Sequence, residues 1–319
     1  MEPTPKSTGR TPLLVVAIVV LAVGLAIFGF EKLFGRAVQL EAAATIEPPP
    51  VAAAVAVPER EEAVVVAVEG KVVRKAASGA WVLVTVGETL VDDASLRTGP
   101  GSRADLKIGN AAKVTITDRT ELTVRELTSA VHRFSLTQGR ITAAYDEAGE
   151  RVVRIEGPNG SAVAQAKGAR FNVLSTHQSL AVATQAGVVN LAAAGKAVSI
   201  RQGEQATAMA GQAPSAASPL SAEILLKIAK ARASASANRC LFVEGLAEPG
   251  AEVTIDGTQV PLDADGRFHW DAPRIAGQKL TRVVTRDASG RVREQSLRCK
   301  DAAPPEPDIK VKMRWETPG

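Results

Sequence analysis

From Val64 to about Met209 the chain alternates apolar and polar residues in short runs: K-V-V-R-K, W-V-L-V-T-V, A-D-L-K-I, A-K-V-T-I-T, R-I-T-A-A-Y, R-V-V-R-I-E and A-V-S-I-R, divided by Gly, Asp or Asn. A period of two puts successive side chains on opposite faces of a strand, and no helical period of useful length interrupts the pattern. Residues 64–210 are therefore expected to form an all-β domain. Within it, EGKVVRKAASGAWVLVTVGE at 69–88 echoes AGVVNLAAAGKAVSIRQGE at 186–204, aligning Gly70 with Gly187, Gly79 with Gly195, and Gly87-Glu88 with Gly203-Glu204. A third fragment, Q-G-R-I-T from Gln138, repeats the opening glycine and strand. A recurring Gly-then-strand unit favours a layered β roll or short solenoid over a single hairpin.

Further along, A-P-S-A-A-S-P from Ala213 reads as a linker and S-A-E-I-L-L-K-I-A-K-A-R from Ser221 as one short helix. Ser221 suits the N-cap, Glu223 the first turn, and Lys227, Lys230 and Arg232 the C-terminal end of the dipole. Residues 211–238 are thus a linker carrying a helix, whose Ile224, Leu225 and Ile228 pack on the β domain. In 239–300, turns at Glu248-Pro249-Gly250, Asp256-Gly257, Asp265-Gly266 and Ser289-Gly290 cut the chain into six or seven strands. That spacing suggests a small β-sandwich. The tail 301–319 contains D-I-K-V-K-M-R-W, whose alternation predicts a further strand, free to join this sheet or another protein's edge.

The N-terminus sets the compartment. Pro12 to Phe30, PLLVVAIVVLAVGLAIFGF, carries no charge and approaches the ~20 residues that cross a bilayer as a helix, longer than the ~7–15 apolar residues of a signal peptide. Ala42-Ala43-Ala44 is a stretch of the kind a signal peptidase accepts. Lys6, Arg10 and the free amine precede the helix while Lys32 and Arg36 follow it, which places the short tail 1–11 inside. The expectation is a single-pass protein of the inner (cytoplasmic) membrane, anchored through 12–30, with the bulk of the chain in the periplasm. Residues 31–63, rich in Ala, Pro and Glu, form a spacer that cannot pack a core.

Composition narrows the chemistry. Of 319 residues 45% are hydrophobic but only 3% aromatic, and the formal charge is +4 without a concentrated basic run. An aromatic-lined pocket and nucleic-acid binding are not expected. His132, His177 and His269 are scattered and fit surface strand positions, and neither a metal motif, a nucleophile elbow nor a P-loop occurs. No catalytic residue, metal ligand or cofactor is assigned, and the chain is read as a non-enzyme. Asp263-Ala264-Asp265-Gly266 begins like a calcium loop, but Arg267 and Arg274 stand where oxygen donors belong, so it reads as a hairpin turn. Thr98-Gly99-Pro100-Gly101-Ser102, flanked by Arg97 and Arg103, has the residues of an anion-holding loop. Strands on both sides, with no helix following, make it a bend instead.

Cys240 and Cys299 bracket the small β segment. Outside the cytoplasm such a pair reads as a disulfide, with two buried thiols as the alternative. Between Arg267 and Lys300 nine basic residues face three acids, and this excess suits an acidic partner or an anionic polymer, or else a solvated strand surface. Arg282, Arg286, Arg291 and Arg293, with Lys310, Lys312 and Arg314 of the tail, are the candidate interaction surface.

A family resemblance emerges from ordered motifs: Gly87-Glu88-Thr89-Leu90, Thr98 to Leu106, Gly168-Ala169-Arg170-Phe171-Asn172-Val173, Gly187-Val188-Val189 and Gly203-Glu204. Together they resemble the FecR domain over roughly 64–210. V-E-G-L-A-E-P-G-A-E-V-T-I-D-G and D-A-D-G-R-F resemble a bacterial Ig-like module. The first resemblance implies an envelope sensor whose best-known members hold a sigma factor through a cytoplasmic region and receive a signal from an outer-membrane transducer. About eleven residues before the membrane run are too few to hold a sigma factor, which disfavours an anti-sigma-like regulator. The sequence therefore leads to a membrane-anchored periplasmic module for protein interaction or signal sensing, with an envelope protein as partner. Binding of peptidoglycan or another anionic polymer is the alternative.

Overall fold

The structure, a computed structural model, describes residues 58–110, 112–146, 151–229, 242–271 and 280–298. The apolar run 12–30 expected to cross the membrane, the tail 1–11, the expected spacer up to residue 57, Cys240, Cys299 and Lys310, Lys312 and Arg314 lie outside the described residues. Among the described residues the regular structure is almost entirely β, with one 3-10 turn at Pro158–Gly160, and no helix is long and apolar enough to cross a membrane.

Seventeen strands make up the first hydrogen-bonded system. They begin with β1 (Ala63–Glu69), β2 (Val72–Lys75), β3 (Trp81–Leu83), β4 (Thr89–Leu90) and β5 (Ser95–Thr98). Next come β6 (Arg103–Ile108), β7 (Ala112–Ile116), β8 (Glu121–Leu127) and the long β9 (Val131–Tyr145). There follow β10 (Val152–Glu156), β11 (Ala162–Lys167), β12 (Arg170–Ser175) and β13 (Ser179–Ala186). The set closes with β14 (Val188–Ala193), β15 (Lys196–Arg201), β16 (Glu204–Met209) and β17 (Ser218–Pro219).

The pairings sort these strands into two layers. One runs β4-β1-β6-β7-β9-β12-β13-β16-β17. The other runs β3-β2-β5-β8-β9-β10-β11-β14-β15, and its β9–β10 pair is the one parallel pairing among the described residues. β9 belongs to both: Val131 to Gln138 pair in the second layer, Gly139 to Tyr145 in the first. It turns at Gly139, where φ is +90° and a Cβ would lie 2.5 Å from the Thr120 Cα, so only glycine fits. Phe134, Leu136, Leu106, Ile116, Phe171 and Val173, all fully buried, fill the space between layers. Each such side chain contributes roughly 1.5–3 kcal/mol by leaving water.

The sequence echo has a structural counterpart. Gly70 and Gly187 stand where the chain leaves the first layer for the second, Gly79 and Gly195 sit in hairpin tips, and Gly87 and Gly203 mark the return. β1 to β4 and β13 to β16 are thus the same four-strand excursion, placed toward the two ends of the layered structure. Gly187 is restricted further, since a Cβ there would lie 2.9 Å from the Gly168 carbonyl oxygen.

Seven more strands follow: β18 (Leu226–Ile228), β19 (Phe242–Ala247), β20 (Glu252–Ile255), β21 (Thr258–Val260), β22 (Arg267–Asp271), β23 (Leu280–Arg286) and β24 (Val292–Arg298). Two small sheets, β18-β19-β22 and β21-β20-β23-β24, enclose a core of Leu226, Val243, Ala247, Val253, Ile255, Phe268 and Val283. The helix expected from Ser221 is not formed in the described part, 221–229. Leu226 is buried, Lys227 exposed and Ile228 half-buried, a period of two, and all three pair with β19. A helix this short is marginal on its own. The sheet edge offers the same backbone hydrogen bonds together with burial.

Candidate functional site

The β12–β13 side of the first layer is buried on both faces. Leu174, Ala181 and Ala183 pack outward against Ala288 of the turn between β23 and β24, with Leu220 alongside. Polar contacts hold the same contact area. Asn172 accepts from the Thr142 hydroxyl at 2.7 Å and donates to the Ser289 carbonyl at 3.2 Å. Thr207 donates to the Pro249 carbonyl at 3.2 Å, and Gln205 donates to Glu248. Gly290, at φ +92°, lies under the Arg140 guanidinium, which a Cβ would strike.

Charge concentrates at one end of this joint. Arg286 reaches Asp118 at 2.9 Å and Glu252 at 3.6 Å, with all three side chains mostly buried. Burial pushes the Glu252 carboxyl up, an effect that Arg286 partly offsets. Arg140 is pulled below the usual guanidinium range, first by burial and then by neighbouring Arg286. A polar cavity of about 420 Å³ opens here, walled by Arg119, Glu252, Thr254, Asp256, Arg282 and Arg286.

The basic residues singled out in the sequence take different places. Arg286 belongs to the joint. Arg291 binds the buried Asp287 carboxylate at 2.6 Å and donates to the Ser221 and Ala222 carbonyls, while Arg293 donates to the Ile224 carbonyl at 2.8 Å. These two hold the segment before β18 in place. Arg282 pairs with Glu294 at 2.9 Å on the exposed face. The structure thus brings Arg282 and Arg286 to one cavity and turns Arg291 and Arg293 toward the chain's own backbone.

Both loops that the sequence reads as turns are held by the chain's own contacts. Arg97 stacks on Trp81 at 4.1 Å and pairs with Glu121, and Arg103 pairs with Asp105. The Ser102 hydroxyl accepts the Lys71 N–H at 2.9 Å, so the Gly-Pro-Gly-Ser stretch is a bend secured by the chain itself. Asp263 accepts the Asp265 and Arg267 N–H groups at 2.9 and 2.8 Å, which makes that loop a turn.

His132 is not at the surface as expected; it is fully buried. Its Nδ1 lies 2.9 Å from the Tyr145 hydroxyl and its Nε2 2.7 Å from Glu61, which also holds Arg151 at 2.5 Å. A carboxylate only accepts, so Nε2 carries the proton and Nδ1 accepts from Tyr145. Burial pushes His132 below its ordinary value although Glu61 opposes this, and burial pushes Tyr145 up. The cluster fixes the segment leading into β1, where Glu61 N–H also donates to Leu127 O and Ser129 N–H to Glu59 O. No sequence signal pointed to it, because its members are up to 90 residues apart. Among the described residues no group of three or more His, Cys, Asp or Glu is placed to hold a metal.

Residues 94–190 match the family described as FecR protein. No curated protein matches the chain. Two crystal structures of a "putative anti-sigma factor" from Parabacteroides distasonis ATCC 8503 are similar, at 14% and 15% identity and a TM-score of 0.35 each. Each comparison covers 39% of this chain and 59% of that one.

Proposed function

We propose that this chain is a membrane-anchored, periplasm-facing protein that senses a signal or binds another envelope protein through a FecR-like β domain and an Ig-like module, without catalysis. The observation that carries the reading is the FecR match at 94–190, which falls on the centre of the layered β system. The apolar run 12–30 supports the anchor, and the Cys240 and Cys299 pair supports an oxidising compartment and a disulfide across the second module. The joint adds a physical route. Two modules tied by a small number of ion pairs and hydrogen bonds pass a binding event from one to the other more readily than two beads on a flexible linker.

Affinity capture with the full chain in detergent tests this reading. A discrete envelope protein retained through a high-salt wash supports it. Salt-sensitive sedimentation with cell-wall sacculi and no captured protein points to the polymer-binding alternative instead, and capture of a sigma factor through residues 1–11 overturns the reading.

A further inference from the structure

Two charged groups of opposite sign, Glu252 and Arg119, line the cavity at the joint. Glu252 is 9% exposed, and among the described residues its carboxylate has no hydrogen bond and finds its nearest cation, Arg286, only at 3.6 Å. That cation is already committed to Asp118 at 2.9 Å. Arg119, also lining the cavity and partly exposed, pairs with this same Asp118 at 3.7 Å. A mostly buried carboxylate whose one ion pair spans 3.6 Å gains from a second cation that reaches it through the cavity.

Position separates the two. Glu252 stands across β20–β23 from Arg286, and Thr254 from Val284, so the floor runs from a charged pair to a small patch of hydroxyl and methyl groups. Arg119 comes from the β7–β8 turn and reaches the far end of that floor, near Gly257, whose Cβ would lie 3.9 Å from the Arg119 Nη2. Arg119 also sits at φ +51°, a conformation unusual for a residue with a side chain. The cavity therefore has a mostly buried carboxylate at one end and a partly exposed guanidinium at the other, with Asp256 and Arg282 also on its walls, and about 420 Å³ in all, within the range of small-ligand sites.

We propose that this cavity binds a small zwitterion, a free amino acid or dipeptide, with its carboxylate on Arg119, its ammonium on Glu252 and the Thr254 hydroxyl between them. The site deepens the sensing reading and rests on it: a ligand that bridges the β7–β8 turn and the β20–β23 sheet stabilises the joint. A plain anion leaves Glu252 unpaired, and a plain cation does the same to Arg119. Burial, and after it the nearby Asp118, keep Glu252 easier to protonate than an ordinary carboxyl although Arg286, Arg119 and Arg140 oppose this, so binding weakens on acidification.

Calorimetry and thermal shift on the full chain in detergent, with alanine and alanyl-alanine as probes, decide the matter. N-acetylalanine, which lacks the ammonium, and alaninamide, which lacks the carboxylate, serve as matched controls. At least one zwitterion is expected to bind and raise the melting temperature, with each control about tenfold weaker or more, the loss typical of one charged hydrogen bond. Arg119→Ala, an exposed-side change that spares the core, is expected to weaken the zwitterion about tenfold. Glu252→Gln is expected to do the same and to remove the pH dependence. The proposal is overturned if neither zwitterion binds at ~10 mM, where a site worth only ~3 kcal/mol is half filled. It is also overturned if the controls bind equally, or if Arg119→Ala has no effect. Partner capture that persists in such a result leaves the sensing reading standing and refutes the cavity alone.

Discussion

Removal of Arg286 tests whether the two β modules behave as one unit. At 2.9 Å from Asp118, the pair has a Coulomb energy of roughly 6 kcal/mol at an effective dielectric of ~20. Desolvation of both ions takes back much of this, and Glu252 at 3.6 Å partly replaces Asp118 when the latter is removed. Breaking a buried pair costs ~3–5 kcal/mol, and the roughly one-fifth exposure of Arg286 puts Arg286→Ala near ~3 kcal/mol. Asp118→Ala is expected to cost less, ~1–2 kcal/mol, because Arg286 keeps a carboxylate. The coupling in a double-mutant cycle is then ~1–2 kcal/mol, above the scatter of non-interacting sites. Denaturant unfolding of the full chain in detergent, followed in single-tryptophan variants that keep either Trp81 in one module or Trp270 in the other, is the assay. Wild type is expected to give coincident transitions, and Arg286→Ala to pull the Trp270 transition to lower denaturant. A coupling below ~0.5 kcal/mol, with transitions that stay coincident, refutes the claim that these ions fasten the joint.

Other changes follow from particular positions. Gly139→Ala, at φ +90° and against the Thr120 backbone, is expected to destabilise the layered system by at least ~2 kcal/mol in equilibrium unfolding. His132 has a folded pKa below its unfolded value, so its contribution is complete above the ordinary value and is lost as pH falls from there through the folded pKa. Denaturation midpoints measured down through that window should decline. His132→Gln should remove most of this slope, which for a single proton reaches at most about 1.4 kcal/mol for each step of one in pH. If Cys240 and Cys299 are joined, reduction should destabilise the second module by ~4 kcal/mol in the chain-entropy estimate, with a mobility change on non-reducing gels. Unchanged mobility and stability would count against the disulfide.

Much of the fold was written locally in the chain. Period-two runs such as A-K-V-T-I became strands because each needs only neighbours to expose one face and bury the other. The glycine echo was legible because positive-φ corners recur at fixed intervals, and β1 to β4 and β13 to β16 repeat one excursion between those corners. Capping and composition at 221–229 favour a helix, while the partner that decides otherwise, β19, lies farther along the chain. Charge counting over 267–300 showed an excess of arginines but not their direction. Only the fold shows that Arg291 and Arg293 grip backbone carbonyls and that Arg286 turns into the joint. The His132 cluster joins Glu61, Tyr145 and Arg151 across three elements, and no spacing rule connects them.

The central claim is that the described β modules meet another envelope protein. Photo-reactive residues placed in living cells at Arg282 and Arg298, exposed positions on β23 and β24, and at Lys107 on β6 test it most directly. The account predicts a discrete crosslinked species with one envelope protein from at least one of these positions, lost in the Arg286→Ala background if the joint sets the geometry. Crosslinks to cytoplasmic proteins, or uniform absence of any adduct with the chain stably present in the membrane, would contradict it.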